Sequence, residues 1–393
     1  MSRQSRAQPI KSAPTPLRYR LQKVENNADL SRFIDVPWTV FSGDKNWTPP
    51  LKLERKQLLS AKHNPYFEHA EAAYFLATKD GEPIGRISAQ KCDLVQKHVG
   101  EGTGQFGFFD CVNDQSLSHD LFGHAEDWLK AKKMKRVMGP FNLSINEEVG
   151  LLIDGFETPS CFLMAYNKPY YVDLVEAEGF VKAKDLLAYW LDIKTPFPEK
   201  ITKMTQWGLN NKRFKIRNIN KKDFDNEIQI VLDIFNDAWQ NNWGYIPMTE
   251  AEMQKTAKDL KLLLQEYSTR IVEFDGEPAA FMATLPDINR WIADLNGSLL
   301  PFGWAKLAYR LLKARPDVVR VPLMGVRQEL QKTRAGGIMA IMAIETIRHE
   351  VSIRGGFNAE LSWILEDNHG MREMLIAIGC EIYKTYRVYE KPL

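Results

Sequence analysis

The feature that most limits what this chain can fold into is that it repeats itself. Residues 74–90, YFLATKDGEPIGRISAQ, and residues 270–284, RIVEFDGEPAAFMAT, are each two apolar runs joined at Asp-Gly-Glu-Pro. Asp-Gly between apolar runs specifies a β-hairpin, because both turn residues tolerate positive φ. The turns, Asp80-Gly81 and Asp275-Gly276, are 195 residues apart. A second pair follows in the same order. Asn167 precedes a helix-like stretch ending at Gly179-Phe180, and Asn368 precedes one ending at Gly379-Cys380. These glycines are 200 residues apart, and a strand-like run follows each, over 186–193 and 382–390. Glycine just past a helix suits the C′ position. Two ordered matches at nearly one offset indicate a duplicated unit, against the alternative of unrelated α/β segments sharing common turn chemistry.

Periodicity places strands at 104–112 and 135–141 in the first unit, with a helix over 117–134 between them. The second unit reads as a strand at 214–219 and two helices within 223–264, broken around Asn242–Pro247. A strand at 318–326, a helix at 337–354 and a strand at 359–365 follow. The expected fold class is α/β (α+β): two tandem units, each a mixed, mostly antiparallel twisted sheet flanked by helices. The boundaries are a flexible basic leader over 1–24, a first unit over 25–198 and a second over 199–393, joined by a linker at about 194–213.

Composition narrows the function classes. The 52 basic and 50 acidic residues nearly cancel, giving no compositional case for nucleic-acid binding. Cys92, Cys111, Cys161 and Cys380 form no C-x-x-C pair and have no histidine cluster beside them, so a reducing, cytoplasmic setting without a metal is the simpler expectation. The leader lacks an apolar core, which argues against a secretory signal.

The element order is similar to the GNAT superfamily of acyl-CoA N-acyltransferases. The resemblance implies acyl-CoA as co-substrate, entering between the fourth and fifth strands, with its pyrophosphate at the start of the next helix. Helix N-termini and Gly-rich turns bind anions. In the second unit the strand end Met324-Gly325-Val326 leads to Arg334-Ala335-Gly336-Gly337-Ile338, which matches the first half of the family's Q/R-x-x-G-x-G/A pattern. Met339 stands where the second small residue belongs. Asn368 matches the Asn of the family's second motif, near the pantetheine arm. The family's usual acid, a tyrosine four residues before the glycine, is replaced by Leu375 and Val175. The first unit has Asn113-Asp114-Gln115-Ser116 at the equivalent turn, where acid repels pyrophosphate. The second unit is therefore expected to bind acyl-CoA and the first to shape the acceptor site. The runs at 107–114, 139–159, 166–171 and 184–190 resemble a group of bacterial tandem-GNAT proteins that includes the bacterial ceramide synthases, which acylate a sphingoid base.

N-acyl transfer needs a base for the amine proton. Glu147 and Glu148 sit in a polar knot, Asn142–Gly150, after a strand; a carboxylate against apolar walls has a raised pKa and can serve. The alternative is a helix N-terminus with Ser144 and Glu147 as a capping box. Asp110 and Glu360 are further candidate catalytic carboxylates. Asn142, Asn146, Tyr170, Asn242, Trp243 and Tyr245 are candidate substrate contacts. Residues 298–315 place Lys306, Arg310 and Lys313 on one helix face and Leu300, Trp304, Leu307 and Leu311 on another. This reads as a peripheral membrane contact or as an ordinary surface helix. The leading expectation is acyl transfer to a long-chain amine such as a sphingoid base. The alternatives are acetylation of a small polar amine or peptide, and a catalytically inactive ligand-binding pair. Transfer from aminoacyl-tRNA is disfavoured by the near-neutral charge.

Overall fold

The structure, a computed structural model, describes residues 19–393. Most of the leader expected over 1–24 lies outside the described residues. The strands in chain order are β1 (Arg20–Lys23), β2 (Ala70–Lys79), β3 (Glu82–Cys92), β4 (Thr103–Cys111), β5 (Arg136–Gly139), β6 (Leu151–Asp154) and β7 (Val181–Asp192). The second half adds β8 (Phe214–Asn218), β9 (Thr269–Phe274), β10 (Glu277–Pro286), β11 (Val318–Val326), β12 (Asn358–Leu365) and β13 (Glu381–Pro392).

These strands form one sheet in the order β1-β2-β3-β4-β5-β13-β7-β12-β11-β10-β9-β8, with β6 paired to β13. Read from either end, the order runs through corresponding strands of the two halves. The halves have traded their last strands. β13 lies between β5 and β7, and β7 also pairs with β12. In both halves the fourth and fifth strands are parallel and the other strands that follow the hairpin order are antiparallel. The fold class expected from sequence is present; the exchange fuses the two sheets into one.

Local chemistry explains the elements. Both hairpin turns hold Asp and Gly at positive φ, with Asp80 at 50° and Gly81 at 90°, and Asp275 at 52° and Gly276 at 94°. That is the backbone an Asp-Gly hairpin requires. Helix Gln115–Ala131 is capped by Asp114, whose Oδ1 accepts from Leu117 N at 2.9 Å, and it buries Leu117, Leu121, Ala125 and Leu129 at helical spacing. The expected linker is not an extended tether. It contains helix Glu199–Asn210, because Ile201, Thr205 and Gly208 form a buried face. Gly208 lies so close to Ile338 and Met342 that a Cβ there would meet them at 2.7 and 2.5 Å.

Candidate acyl-transfer site

The parallel strands part at two forks, one in each half. In the first half β4 and β5 pair only over Thr103–Gln105 and Arg136–Met138. Beyond that the chain does not leave a gap. Phe141 N donates to Phe106 O at 2.7 Å, Phe108 N donates to Asn142 Oδ1 at 2.7 Å, and Gln90 Nε2 donates to Phe141 O at 2.8 Å. A Cβ on Gly107 would stand 1.7 Å from Phe141 O. The first fork is filled by its own backbone. In the second half β11 and β12 pair through Val321 and Leu361 and then separate, with Leu323, Met324, Trp363 and Ile364 part-exposed.

The helix starts differ in charge. Helix Gln115–Ala131 begins under the Asp114 carboxylate. Helix Arg334–Ile353 begins under the neutral Thr333 hydroxyl, which accepts from Gly336 N at 3.1 Å, with Lys332 and Arg334 exposed beside it. The expected loop is corrected here: Arg334–Gly337 is already the first helical turn, and the segment before it closes through a short turn, Gln328–Gln331. Gly336 is the residue the geometry needs, since a Cβ would meet Leu330 O at 2.0 Å, whereas Gly337 faces open space. An anion meets free donors and cations at the second start and a carboxylate at the first. The residues present therefore fit a pyrophosphate in the second half. Met324 O accepts from Trp239 Nε1 at 3.1 Å, and Asn368 Oδ1 accepts from Met371 N at 3.2 Å as a helix cap.

A cavity of about 450 Å³ is lined mostly by the first half and closed on one side by helix Glu250–Leu260 and the 288–292 segment of the second. Asp110, Asn142, Asn146, Glu147 and Glu148 all line it. Phe41, Trp47, Phe108, Phe109, Phe162 and Leu260 give it an aromatic and aliphatic wall, and further charged side chains complete the lining. The Ser144–Glu147 segment is a turn and not a helix start, so the capping-box alternative fails; Asn146 N and Glu147 N are held by Ser144 instead. The two glutamates differ. Glu148 is paired with Arg55 and accepts from Asn142 Nδ2 at 2.8 Å. Glu147 has no hydrogen bond to its carboxylate among the described residues. Burial, reinforced by the nearby Glu54 charge, pushes its carboxyl from the ordinary 4.5 up to about 8. The buried Asn146 Nδ2 also has no partner among the described residues.

Asp110 is tied up. It faces Arg86 in register across β3 and β4, with Arg86 Nε at 2.8 Å, and the Tyr171 hydroxyl donates to it at 3.1 Å. Burial still pushes its carboxyl up. Glu360 is fully buried behind the cavity, with its oxygens held by the Ser362 and Tyr383 hydroxyls and its register partner Arg320 at 3.7 Å. Arg320 joins the two regions. From the last paired stretch before the second fork it donates to Phe162 O at 3.0 Å and Met164 Sδ at 3.0 Å. Phe162 and Met164 line the cavity, so the 160–164 segment lies between cavity and fork.

The cavity does not gather every expected residue. Tyr170 donates to Cys111 O at 2.8 Å, and Tyr245 to Asn236 Oδ1 at 2.9 Å. Trp243 packs on a core cluster, and neither it nor Asn242, Glu360, Met324–Val326, Arg334–Ile338 or Asn368 lines the cavity. Sequence reasoning missed Glu54, Arg55, Lys255 and Asp259, which line it from two helices distant in sequence. Only tertiary contact brings them there, and no local pattern marks them. Arg86 and Arg320 become visible once β3–β4 and β11–β12 are paired.

The chain is 44% identical over 369 residues to Protein YghO of Escherichia coli (strain K12), covering 94% of each. It is 42% identical over 372 residues to the bacterial ceramide synthase of Caulobacter vibrioides (strain NA1000 / CB15N), covering 94% of this chain and 96% of that one. No protein-family model matches the chain. A tandem GNAT protein from the clavulanic acid biosynthesis pathway, solved without AcCoA, superposes with a TM-score of 0.56 at 12% identity, over 95% of this chain and 98% of that one. A GCN5-related N-acetyltransferase from Sphaerobacter thermophilus gives 0.53 at 10% identity, over 96% and 97%. At such identities these neighbours establish the fold. The chain therefore belongs to the family that includes Protein YghO and the bacterial ceramide synthase, it has the tandem GNAT fold, and it is an N-acyltransferase.

Proposed function

We propose that this N-acyltransferase moves a long acyl chain from acyl-CoA to a long-chain amine such as a sphingoid base. The observation that carries the reading is the cavity, which joins an aromatic and aliphatic wall to a cluster of charged side chains, among them Glu147, whose carboxylate has no hydrogen bond among the described residues, and Glu148, which is paired with Arg55. An amphiphilic amine needs both. The second fork and the uncapped charge around Lys332 and Arg334 support acyl-CoA binding there, so the halves divide the work. The acceptor enters as an ammonium. Glu148, paired with Arg55, lies beside it, and Glu147 takes its proton. The amine nitrogen then bonds to the thioester carbonyl carbon, the C–S bond breaks, and CoA leaves as the thiol after gaining one proton. Asn146 Nδ2 is free to hold a substrate oxygen. The reading includes a peripheral position on the inner membrane face, with residues 298–315 against lipid.

The test is thiol release from a long-chain acyl-CoA, with the product identified by mass. A long-chain amine should give stoichiometric thiol and amide. Turnover with only small polar amines would replace the lipid reading by the acetyltransferase one, and thiol release without amide would refute transfer.

A further inference from the structure

Helix Gly303–Lys313 has no buried residue. Around it Leu300 is 78% exposed, Phe302 73%, Trp304 58%, Tyr309 69% and Leu312 81%. Leu307 and Leu311 turn partly inward, so the apolar residues point two ways. Such a stretch of exposed apolar side chains is rare on a protein that meets only water. Its charged flank is basic. Lys306, Arg310, Lys313 and Arg315 are opposed by Asp294, which holds Arg310 at 2.6 Å and Lys306 at 3.5 Å, and by Asp317, which is paired with Arg290 at 3.0 Å. Among the described residues Lys313 and Arg315 have no acidic partner, and both are exposed to anions. Apolar side chains flanked by cations fit an anionic bilayer surface.

This helix is joined to the cavity rim. Arg310 donates to Trp291 O and grips Asp294. Trp291 belongs to helix Asn289–Ile292, whose Asn289 and Ile292 line the cavity. The same segment clasps the opposite rim. Trp38 Nε1 donates to Asn296 Oδ1 at 2.8 Å, and Lys52 N donates to Gly297 O at 3.0 Å, beside the cavity residues Pro37, Pro50 and Leu51. A Cβ on Gly297 would stand 2.4 Å from Trp38.

We infer that the 288–313 segment is a membrane-seated rim, through which the acceptor passes from an anionic bilayer into the cavity without crossing water. The inference rests on the long-chain amine reading and adds the route. It predicts kinetics set by the surface concentration of amine in the bilayer and not by its bulk concentration.

The test uses the full chain and a variant carrying Leu300→Ser and Leu312→Ser, both at exposed positions where folding is not at stake. Flotation is measured on phosphatidylglycerol-containing vesicles and on neutral phosphatidylcholine vesicles. Turnover is measured with a bilayer-embedded long-chain amine and with a water-soluble short-chain amine. The wild type should float with anionic vesicles, and the variant should lose about tenfold or more of that binding, since affinity scales with buried apolar area. Its turnover of the embedded amine should fall about as far, while the soluble amine is turned over as before. Undiminished flotation of the variant, equal loss on both amines, or a patch buried in a dimer of this chain by light scattering would overturn the inference. If the wild type acylates neither amine, the acyl-transfer reading is at fault, and flotation still decides whether the rim seats on lipid.

Discussion

Glu147→Gln should make the protein more stable and less active, with both effects tied to pH. Burial and the Glu54 charge raise the Glu147 carboxyl from 4.5 to about 8. A tenfold change in proton affinity is worth ~1.4 kcal/mol, so this interval sets an upper limit of about 5 kcal/mol on the cost of ionising Glu147 in the folded state. The sign follows from proton counts. Between pH 4.5 and about 8 the folded state holds a proton that the unfolded state has lost, so stability falls as pH rises through that window and stays lower above it. Glutamine removes the penalty. Unfolding entropy averages ~2.1 cal/mol/K per residue, so 393 residues give ~0.8 kcal/mol/K and the full penalty corresponds to a Tm gain of about 6 °C at pH 9. The gain should narrow toward zero near pH 4.5. Loss of a general base should cut turnover by about 10²–10⁴-fold. In the wild type, kcat/KM should rise with pH up to about 8. Thermal melts of both proteins across this pH range, with thiol release in parallel, decide it. A pH-independent Tm difference, or a variant less stable at pH 9, would refute the electrostatics. An active variant would refute the role.

Other residues give independent checks. Gly336→Ala forces a Cβ into Leu330 O and should lower Tm and weaken acyl-CoA binding, whereas Gly337→Ala, in open space, should leave the melt within a degree or two; calorimetry separates them. Arg320→Met strands the fully buried Glu360 and should cost about 3–5 kcal/mol, read as a drop in the denaturation midpoint. His69 lies between Cys92 Sγ at 3.4 Å and Glu252 Oε1 at 3.2 Å, and its bonds to Cys92 and then Glu252 push it up to about 10. That stabilisation is full below pH 6.5 and lost as pH rises through about 10, so His69→Gln should flatten the alkaline decline in Tm.

The fold was legible where local chemistry decides it. Both Asp-Gly turns, both glycines past their helices, at 84° for Gly179 and 90° for Gly379, and strand 318–326 follow from side-chain pattern alone. The strand exchange was not legible, because no local pattern says which of β7 and β13 pairs with β5 and which with β12. The helix at Glu199–Asn210 was hidden by Pro196 and Pro198, which read as a linker but only mark its start. The knot at Asn142–Glu148 was visible as polar residues among apolar ones, and the structure brings Asp110 to the same cavity. Which glutamate is free was not visible, since Arg55 comes from a helix 93 residues away.

The separation of the acyl-CoA site from the acceptor cavity is tested most directly by binding each substrate separately to two variants. Gly337→Asp places a carboxylate at the second helix start, and Thr256→Trp fills the cavity from helix Glu250–Leu260. Calorimetric titration should show that Gly337→Asp loses acyl-CoA and keeps the long-chain amine, and that Thr256→Trp does the reverse. Undiminished acyl-CoA binding by Gly337→Asp, or loss of acyl-CoA in Thr256→Trp, would contradict the account.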